Sequence, residues 1–170
     1  MATIEELGAQ HLEQVARWLS NPEINKWLTA EWRGRQTNPS ILAIAMRNRK
    51  NRLFLVRTSG EPCGLVGLAD IDLADRTAMV WYVLGEKRFE RQGLTSSALQ
   101  EMIKVAFVEM GLASLYAWIM EDNTPSRKVL IKNKFMECGR LRKSANSNGR
   151  QVARIYFDLI AEDVKMQPVS

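Results

Sequence analysis

The sequence predicts an α/β (α+β) fold, a mixed and mostly antiparallel central sheet flanked by helices, on three observations. Residues 53–58, 63–72 and 77–84 are three successive runs of strand character, the first two joined by the turn Ser59-Gly60-Glu61-Pro62, which is the pattern of an antiparallel meander. After Gly93 the apolar spacing changes. Leu94, Ala98, Met102, Ala106 and Met110 recur every four residues, and Gly111 follows as a stop, so a long helix with one apolar face is expected. Strand character then returns at 115–120 and 152–160, around a helix that opens on Thr124-Pro125 and reaches Asn133.

The remaining elements follow in order. Residues 2–7 form a short first strand. Leu12, Val15, Ala16 and Leu19 fall at helical spacing, and Ser20-Asn21-Pro22 ends that helix. A second short helix covers 22–28, and another apolar run covers 41–46. The segment between them carries Trp27, Trp32 and Arg33 and has no clean period. The stretch 144–149 reads as a loop between two late strands. No internal repeat, low-complexity tract or second domain is visible, so residues 1–170 are expected to form one domain. A chain of this length buries roughly 70% of its unfolded surface, enough for a real core.

Charge and composition narrow the function classes. The net charge is +5 and the pI about 9.4, which suits an anionic partner such as a cofactor. The densest basic cluster, Arg140-Leu-Arg-Lys143, lacks interleaved aromatics, so no nucleic-acid partner is expected. No apolar run approaches the ~18 residues of a membrane span, and no membrane association is expected. The start, Met1-Ala-Thr-Ile-Glu-Glu6, is acidic where a secretory signal would be basic and then apolar. Cys63 and Cys138 stand outside any C-x-x-C or Cys/His cluster. No metal site is expected, and both are read as reduced thiols of a cytoplasmic protein. His11, the only histidine, sits at a helix start and is not expected to be catalytic. Nothing in the sequence sets an oligomeric state.

The segment from Trp81 to Leu99 carries the chemistry. A strand ends in a loop with Lys87, Arg88, Arg91 and Gly93, and a long helix follows at once. A helix start leaves N–H groups unpaired and carries partial positive charge, and a glycine there lets a ligand approach the backbone. This is an anion site suited to a pyrophosphate, although one glycine between a strand and a helix is by itself no more than a turn. Neither a Walker loop nor a Rossmann fingerprint is present.

Thirty residues beyond Gly93 comes Asn123-Thr-Pro-Ser126, then Arg-Lys-Val-Leu130, then Lys134-Phe135. The two segments together resemble the GNAT superfamily of N-acetyltransferases. Its members carry [QR]-x-x-G-x-[GA] before the central helix and Asn-x-x-[AS]-x-x-x-[YL] later, with Gly-Phe a turn further on. Arg17-Trp-Leu-Ser-Asn-Pro22, Gly139-Arg-Leu-Arg142, Gly149-Arg150 and Tyr156-Phe157 look like the branch holding ribosomal-protein, aminoglycoside and amino-sugar acetyltransferases. The resemblance covers nearly the whole chain and rests on order and spacing together. It has departures. Glu90 stands where the family has Gln or Arg, Arg91 where this branch often has Gly, and Thr95 at the second Gly/Ala. Lys134 replaces the glycine before Phe135. Leu130 holds the place of the tyrosine that serves many members as general acid, and Ala78 that of a strand glutamate.

The resemblance implies acetyl-CoA as co-substrate and direct attack of an amine on its thioester in a ternary complex. It implies that Gln92, Gly93, Leu94, Thr95 and Ser96 hold the CoA pyrophosphate through backbone amides, with Arg88 and Arg91 reaching phosphates. The Val83 and Leu84 backbone would pair with the pantetheine arm, Asn123 would contact CoA, and Ser126 would lie near its sulfur as acid. Ser126 can equally be read as an ordinary first-turn serine, and Asn123 as a cap. Trp27 or Trp32 would line the acceptor pocket. Among the carboxylates, Asp70 and Asp72 share a strand face by alternation, and Asp72 is the first candidate for a base. The expected acceptor is a small-molecule amine such as an amino sugar. A peptide or ribosomal-protein N-terminus, and a non-catalytic CoA-binding module, are the other readings.

Overall fold

The computed structural model describes residues 1–165. Seven strands form one sheet in the order β1-β2-β3-β4-β5-β7-β6. They are β1 (Thr3–Glu6), β2 (Arg52–Thr58), β3 (Glu61–Asp72), β4 (Thr77–Leu84), β5 (Ser114–Met120), β6 (Met136–Ser147) and β7 (Arg150–Ile160). The helices are α1 (Leu12–Ser20), α2 (Pro22–Asn25), α3 (Pro39–Arg47), α4 (Leu94–Lys104) and α5 (Thr124–Lys132). Only β4 and β5 pair in parallel; the other neighbours are antiparallel. Among the described residues no helix is long and apolar enough to cross a membrane.

The two faces of the sheet carry separate cores. Ala78 and Val80 of β4 pack with Leu94, Ala98, Leu99 and Met102 of α4 and Leu130 of α5. Val83, Leu55 and Leu65 pack on the opposite face with Val15, Trp18 and Leu19 of α1 and Leu42 of α3. Alternation along each strand divides them. Trp18 fixes the end of β4. A Cβ at Gly85 would lie 2.2 Å from its indole ring, so only glycine fits there, and the indole Nε1 donates to Glu86 at 3.0 Å.

Two sequence expectations are corrected. Residues 144–149 are not a loop: β6 runs to Ser147, which pairs with Arg150. The turn is Asn148-Gly149 alone, with φ of 51° and 80°, the tight hairpin for which Asn-Gly is preferred. The plain alternation expected of Asp70 and Asp72 is interrupted. The β3–β4 register shifts between Ala69 and Asp72, and Asp70 takes a left-handed φ of 50°, the signature of a bulge that re-aims a side chain.

Candidate active site

β4 and β5 are laddered only at Thr77–Ser114, Ala78–Leu115 and Met79–Tyr116. Both strands run on, to Leu84 and Met120, so past Met79 they part and leave two backbone edges across a gap. The N–H of Gly85 donates to the Cys63 carbonyl at 2.8 Å, and a Cβ at Gly64 would lie 2.4 Å from the Val83 carbonyl oxygen. Val83 therefore bonds β3, and by alternation Tyr82 and Leu84 turn their N–H and C=O groups to the gap. The expected Val83–Leu84 edge is corrected to Tyr82–Leu84, with the Val83 side chain in the core.

At one end of the gap α4 begins. Gly93 caps it at φ 73°, and its carbonyl accepts from the Ser97 N–H at 3.0 Å. The N–H groups of Leu94, Thr95 and Ser96 precede that first helical bond and have no helical partner. A Cβ on Gly93 would meet nothing within 4 Å, so glycine answers a backbone demand there, not crowding. The Ser97 hydroxyl accepts from the Ala2 N–H at 3.2 Å, and the buried Ser96 hydroxyl accepts from Asn133 Nδ2 at 2.9 Å. These bonds hold the helix start between β1 and the end of α5. Arg91 lines the cavity here. Arg88 and Gln92 do not. Arg88 is 62% exposed and pairs with Glu61 at 2.8 Å, and Gln92 Nε2 donates to the Arg88 carbonyl at 3.0 Å.

Across the gap stands the start of α5. Asn123 is a cap: its Oδ1 accepts from the Ser126 N–H at 3.3 Å, and its side chain also borders the cavity. Tyr82, which the sequence did not single out, donates its hydroxyl to the Ser126 carbonyl at 3.3 Å. Burial raises the Tyr82 phenol well above its ordinary range, and the bond to Ser126 offsets only part of this, so it is a neutral donor at any ordinary pH. Leu130 lies one turn further along α5, fully buried.

A single cavity of about 970 Å³ joins this cleft to the opposite face of the sheet. Met79 pairs with Tyr116, so by alternation Trp81 of β4 and Trp118 of β5 lie on that face. Trp32 stacks on Trp81 with centroids 6.2 Å apart. Trp27 and Trp118 pack together against Met120, Ala145 and Val152. All four indoles line the cavity. Trp118 escaped notice in the sequence, although Tyr116, Trp118 and Met120 alternate there.

Glu23, Glu31 and Glu90 line the cavity, and the bulge sorts Asp70 from Asp72. Asp70 lines the cavity, and the Tyr116 hydroxyl donates to its Oδ2 at 3.4 Å. Burial, and then Asp70, raise the Tyr116 phenol. Asp72 does not line the cavity. Its Oδ1 accepts from the N–H groups of Ala74 and Asp75 at 2.9 and 3.0 Å, which makes it the organiser of the β3–β4 turn. Of these two aspartates, only Asp70 is at the cavity; Asp72, the candidate base of the sequence reading, is not. Glu86 is held by Trp18, and Ala78 is fully buried with no carboxylate to offer.

Comparison with known proteins bears on this geometry. A family model described as an acetyltransferase (GNAT) domain matches residues 2–136. The chain is 29% identical over 167 residues to a putative ribosomal N-acetyltransferase, YdaF, of Bacillus subtilis, covering 94% of this chain and 85% of that one. It is 25% identical over 167 residues to p20, an uncharacterized N-acetyltransferase of Bacillus licheniformis, with 95% and 93% covered. In structure it superposes on a spermidine N-acetyltransferase from Vibrio cholerae, solved with CoA and spermine, at a TM-score of 0.85 and 17% identity, covering 95% and 96% of the two chains.

Proposed function

We propose a direct acetyl transfer, from one premise: this chain belongs to the GNAT family of acetyltransferases and uses acetyl-CoA to acetylate an amine. The observation that carries the route is the single cavity running from the α4 start, through the β4–β5 gap, to the four indoles. The unpaired amides of Leu94, Thr95 and Ser96 suit a pyrophosphate. The open edge at Tyr82 and Leu84 suits the amides of a pantetheine arm, since buried backbone groups seek partners. One N–H of that edge, that of Tyr82 or Leu84, would polarise the thioester carbonyl as charge develops on its oxygen.

The acceptor nitrogen attacks from the indole side. It must be neutral. For a lysine-like amine with a pKa of ~10.4, losing the proton at pH 7 costs about 4.6 kcal/mol, and for an α-amine near 7.7 only about 1 kcal/mol. Asp70, which lines the cavity, would hold the ammonium or pass its proton to water. The C–N bond forms, the tetrahedral carbon collapses, and the C–S bond breaks. A leaving thiolate with a pKa of ~8.5 needs little help; Ser126 lines the cavity, and its hydroxyl would steady the sulfur by a hydrogen bond while water supplies the proton.

An aromatic, walled pocket favours a small-molecule amine such as an amino sugar. A protein N-terminus is the second reading, favoured by the name of the Bacillus subtilis relative. The test is CoA release across a panel of amino sugars, free-N-terminal peptides and polyamines. We expect turnover with amino sugars above peptides. Preference for peptides would reverse the acceptor class. Thermal stabilisation by acetyl-CoA without turnover on any amine would leave a CoA-binding module.

A further inference from the structure

Ser126 is held by two side chains of different origin. Asn123 accepts from its N–H at 3.3 Å, which is local capping at the start of α5. Tyr82 donates to its carbonyl, also at 3.3 Å, from β4, 44 residues away in the sequence. Among the described residues this is the only hydrogen bond between β4 and α5. Both backbone groups of one residue are thus fixed, one from its own turn and one from across the cleft. The Ser126 hydroxyl is left out of the arrangement. A serine hydroxyl in a helix can turn back onto a preceding carbonyl, and the nearby Ser96 and Ser97 hydroxyls are both engaged within the protein. That of Ser126 makes no hydrogen bond among the described residues, and Ser126 lines the cavity.

Tyr82 serves both walls of the cleft. Its backbone belongs to the open edge of β4. Its ring packs on the α4–α5 side of the sheet, while Trp81 and Val83 pack on the other. One residue therefore supplies an edge suited to a thioester carbonyl and a strut that reaches the turn carrying Ser126. The carbonyl oxygen and the sulfur of a thioester hang on one carbon, so donors to the two must keep a set separation. A misplacement of about 1 Å can cost on the order of 100-fold in rate. The phenol is not itself an acid here. Its single proton is given to the Ser126 carbonyl, and burial holds it on the oxygen.

We propose that Tyr82 is a positioning residue, which sets the Ser126 hydroxyl against the CoA sulfur while its own backbone faces the thioester carbonyl. The proposal rests on the reading of this cleft as the acetyl-CoA site, as above.

The thiol of bound CoA reports on the arrangement without any acceptor. Its titration is followed by thiolate absorbance in the ultraviolet, with the complex of desulfo-CoA, in which hydrogen replaces the thiol, as the blank. A hydroxyl that donates to the thiolate lowers the thiol pKa. Ser126→Ala should therefore raise it by about one unit, the lower range for a hydrogen bond to a charged group. Tyr82→Phe keeps the ring and removes only the strut, and should raise it by about half a unit or more. The double variant should match Ser126→Ala, because Tyr82 acts through Ser126 alone. A thiol pKa that Tyr82→Phe leaves in place would overturn the strut. So would a double variant shifted by the sum of the two single changes, which would put the phenol itself on the sulfur. CoA bound with a thiol pKa insensitive to Ser126→Ala would take Ser126 away from the sulfur and overturn the proposal while leaving the cleft as the CoA site. A protein that binds neither CoA nor desulfo-CoA would reject the reading of the cleft, and the proposal with it.

Discussion

The two halves of the cavity are built from different materials. On the α4–α5 side the backbone offers the Leu94–Ser96 amides and the Tyr82–Leu84 edge, with Arg91, Asn123 and Ser126 beside them. On the opposite side the side chains dominate, four indoles with Asp70, Glu23 and Glu31, delivered by α2, β3, β4, β5 and the connection before α3. A backbone site depends on chain geometry at a few positions and would tolerate residues such as Glu90, Arg91 and Thr95, which depart from the family's pattern. A side-chain site depends on identity at each position. Substitutions should therefore separate the halves: on the first side only changes to geometry or charge matter, on the second each side chain counts.

The largest effect is expected at Gly93. Gly93→Asp places a carboxylate where a pyrophosphate would lie, and should lower kcat/KM for acetyl-CoA by more than about 100-fold. It should also remove the thermal shift given by acetyl-CoA, which at 100 times Kd corresponds to about 2.7 kcal/mol. Gly93→Ala is the control. It meets nothing within 4 Å and carries only the backbone cost of a left-handed residue, about 1 kcal/mol. An alanine variant as defective toward CoA as the aspartate would show that conformation, not charge, governs this side. A preserved shift in a folded Gly93→Asp would remove the pyrophosphate from this loop.

The indoles should respond one by one. Trp32 is 5% exposed and stacked on Trp81, so Trp32→Ala should cost about 3–5 kcal/mol of stability as a core truncation, seen in denaturant melts. Trp118 is only partly buried. Trp118→Ala should cost less stability and raise the acceptor KM by about tenfold, of the order of one lost aromatic contact, with the KM for acetyl-CoA unchanged. If Trp118→Ala instead weakened acetyl-CoA, the two halves would not be separable.

This division also explains what could be read from the sequence. The start of α4 was legible because a left-handed cap needs glycine, and the order of strand, glycine and helix marks it. The start of α5 was legible because Asn123 and Pro125 are cap and first-turn residues. The indole side was legible only in part. Trp27 and Trp32 drew attention as aromatics in a segment without a period, but their partner indoles come from strands distant in sequence. Asp70 and Asp72 cannot be told apart by alternation, which assumes an unbroken ladder, and the shift after Ala69 breaks it. The 144–149 stretch has a loop composition, and its pairing is set by β7, which no local signal reports.

The smallest effect, and the sharpest use of the comparison, concerns the proton. Asp70 borders the groove through a left-handed backbone, while Asp72 is spent on the Ala74 and Asp75 amides. Asp72→Asn should leave kcat/KM within a factor of about three, and cost only the ~0.5–1.5 kcal/mol of a hydrogen bond in stability. Asp70→Asn should cost more, yet under about tenfold, because a carboxylate that steadies an ammonium is not a base positioned on the reacting nitrogen. The pH profile discriminates. If water takes the proton, kcat/KM should rise with pH and level off near the acceptor's own pKa, in wild type and Asp70→Asn alike. Tyr82 adds no descending limb in the ordinary range. Burial raises its pKa, and an acid with a raised pKa keeps its proton to higher pH, so its donor role outlasts that of an ordinary tyrosine near ~10. A loss of about 1,000-fold in Asp70→Asn, with folding and CoA binding intact and the rising limb displaced, would make Asp70 a positioned base, as 10²–10⁴ is the usual worth of such a group.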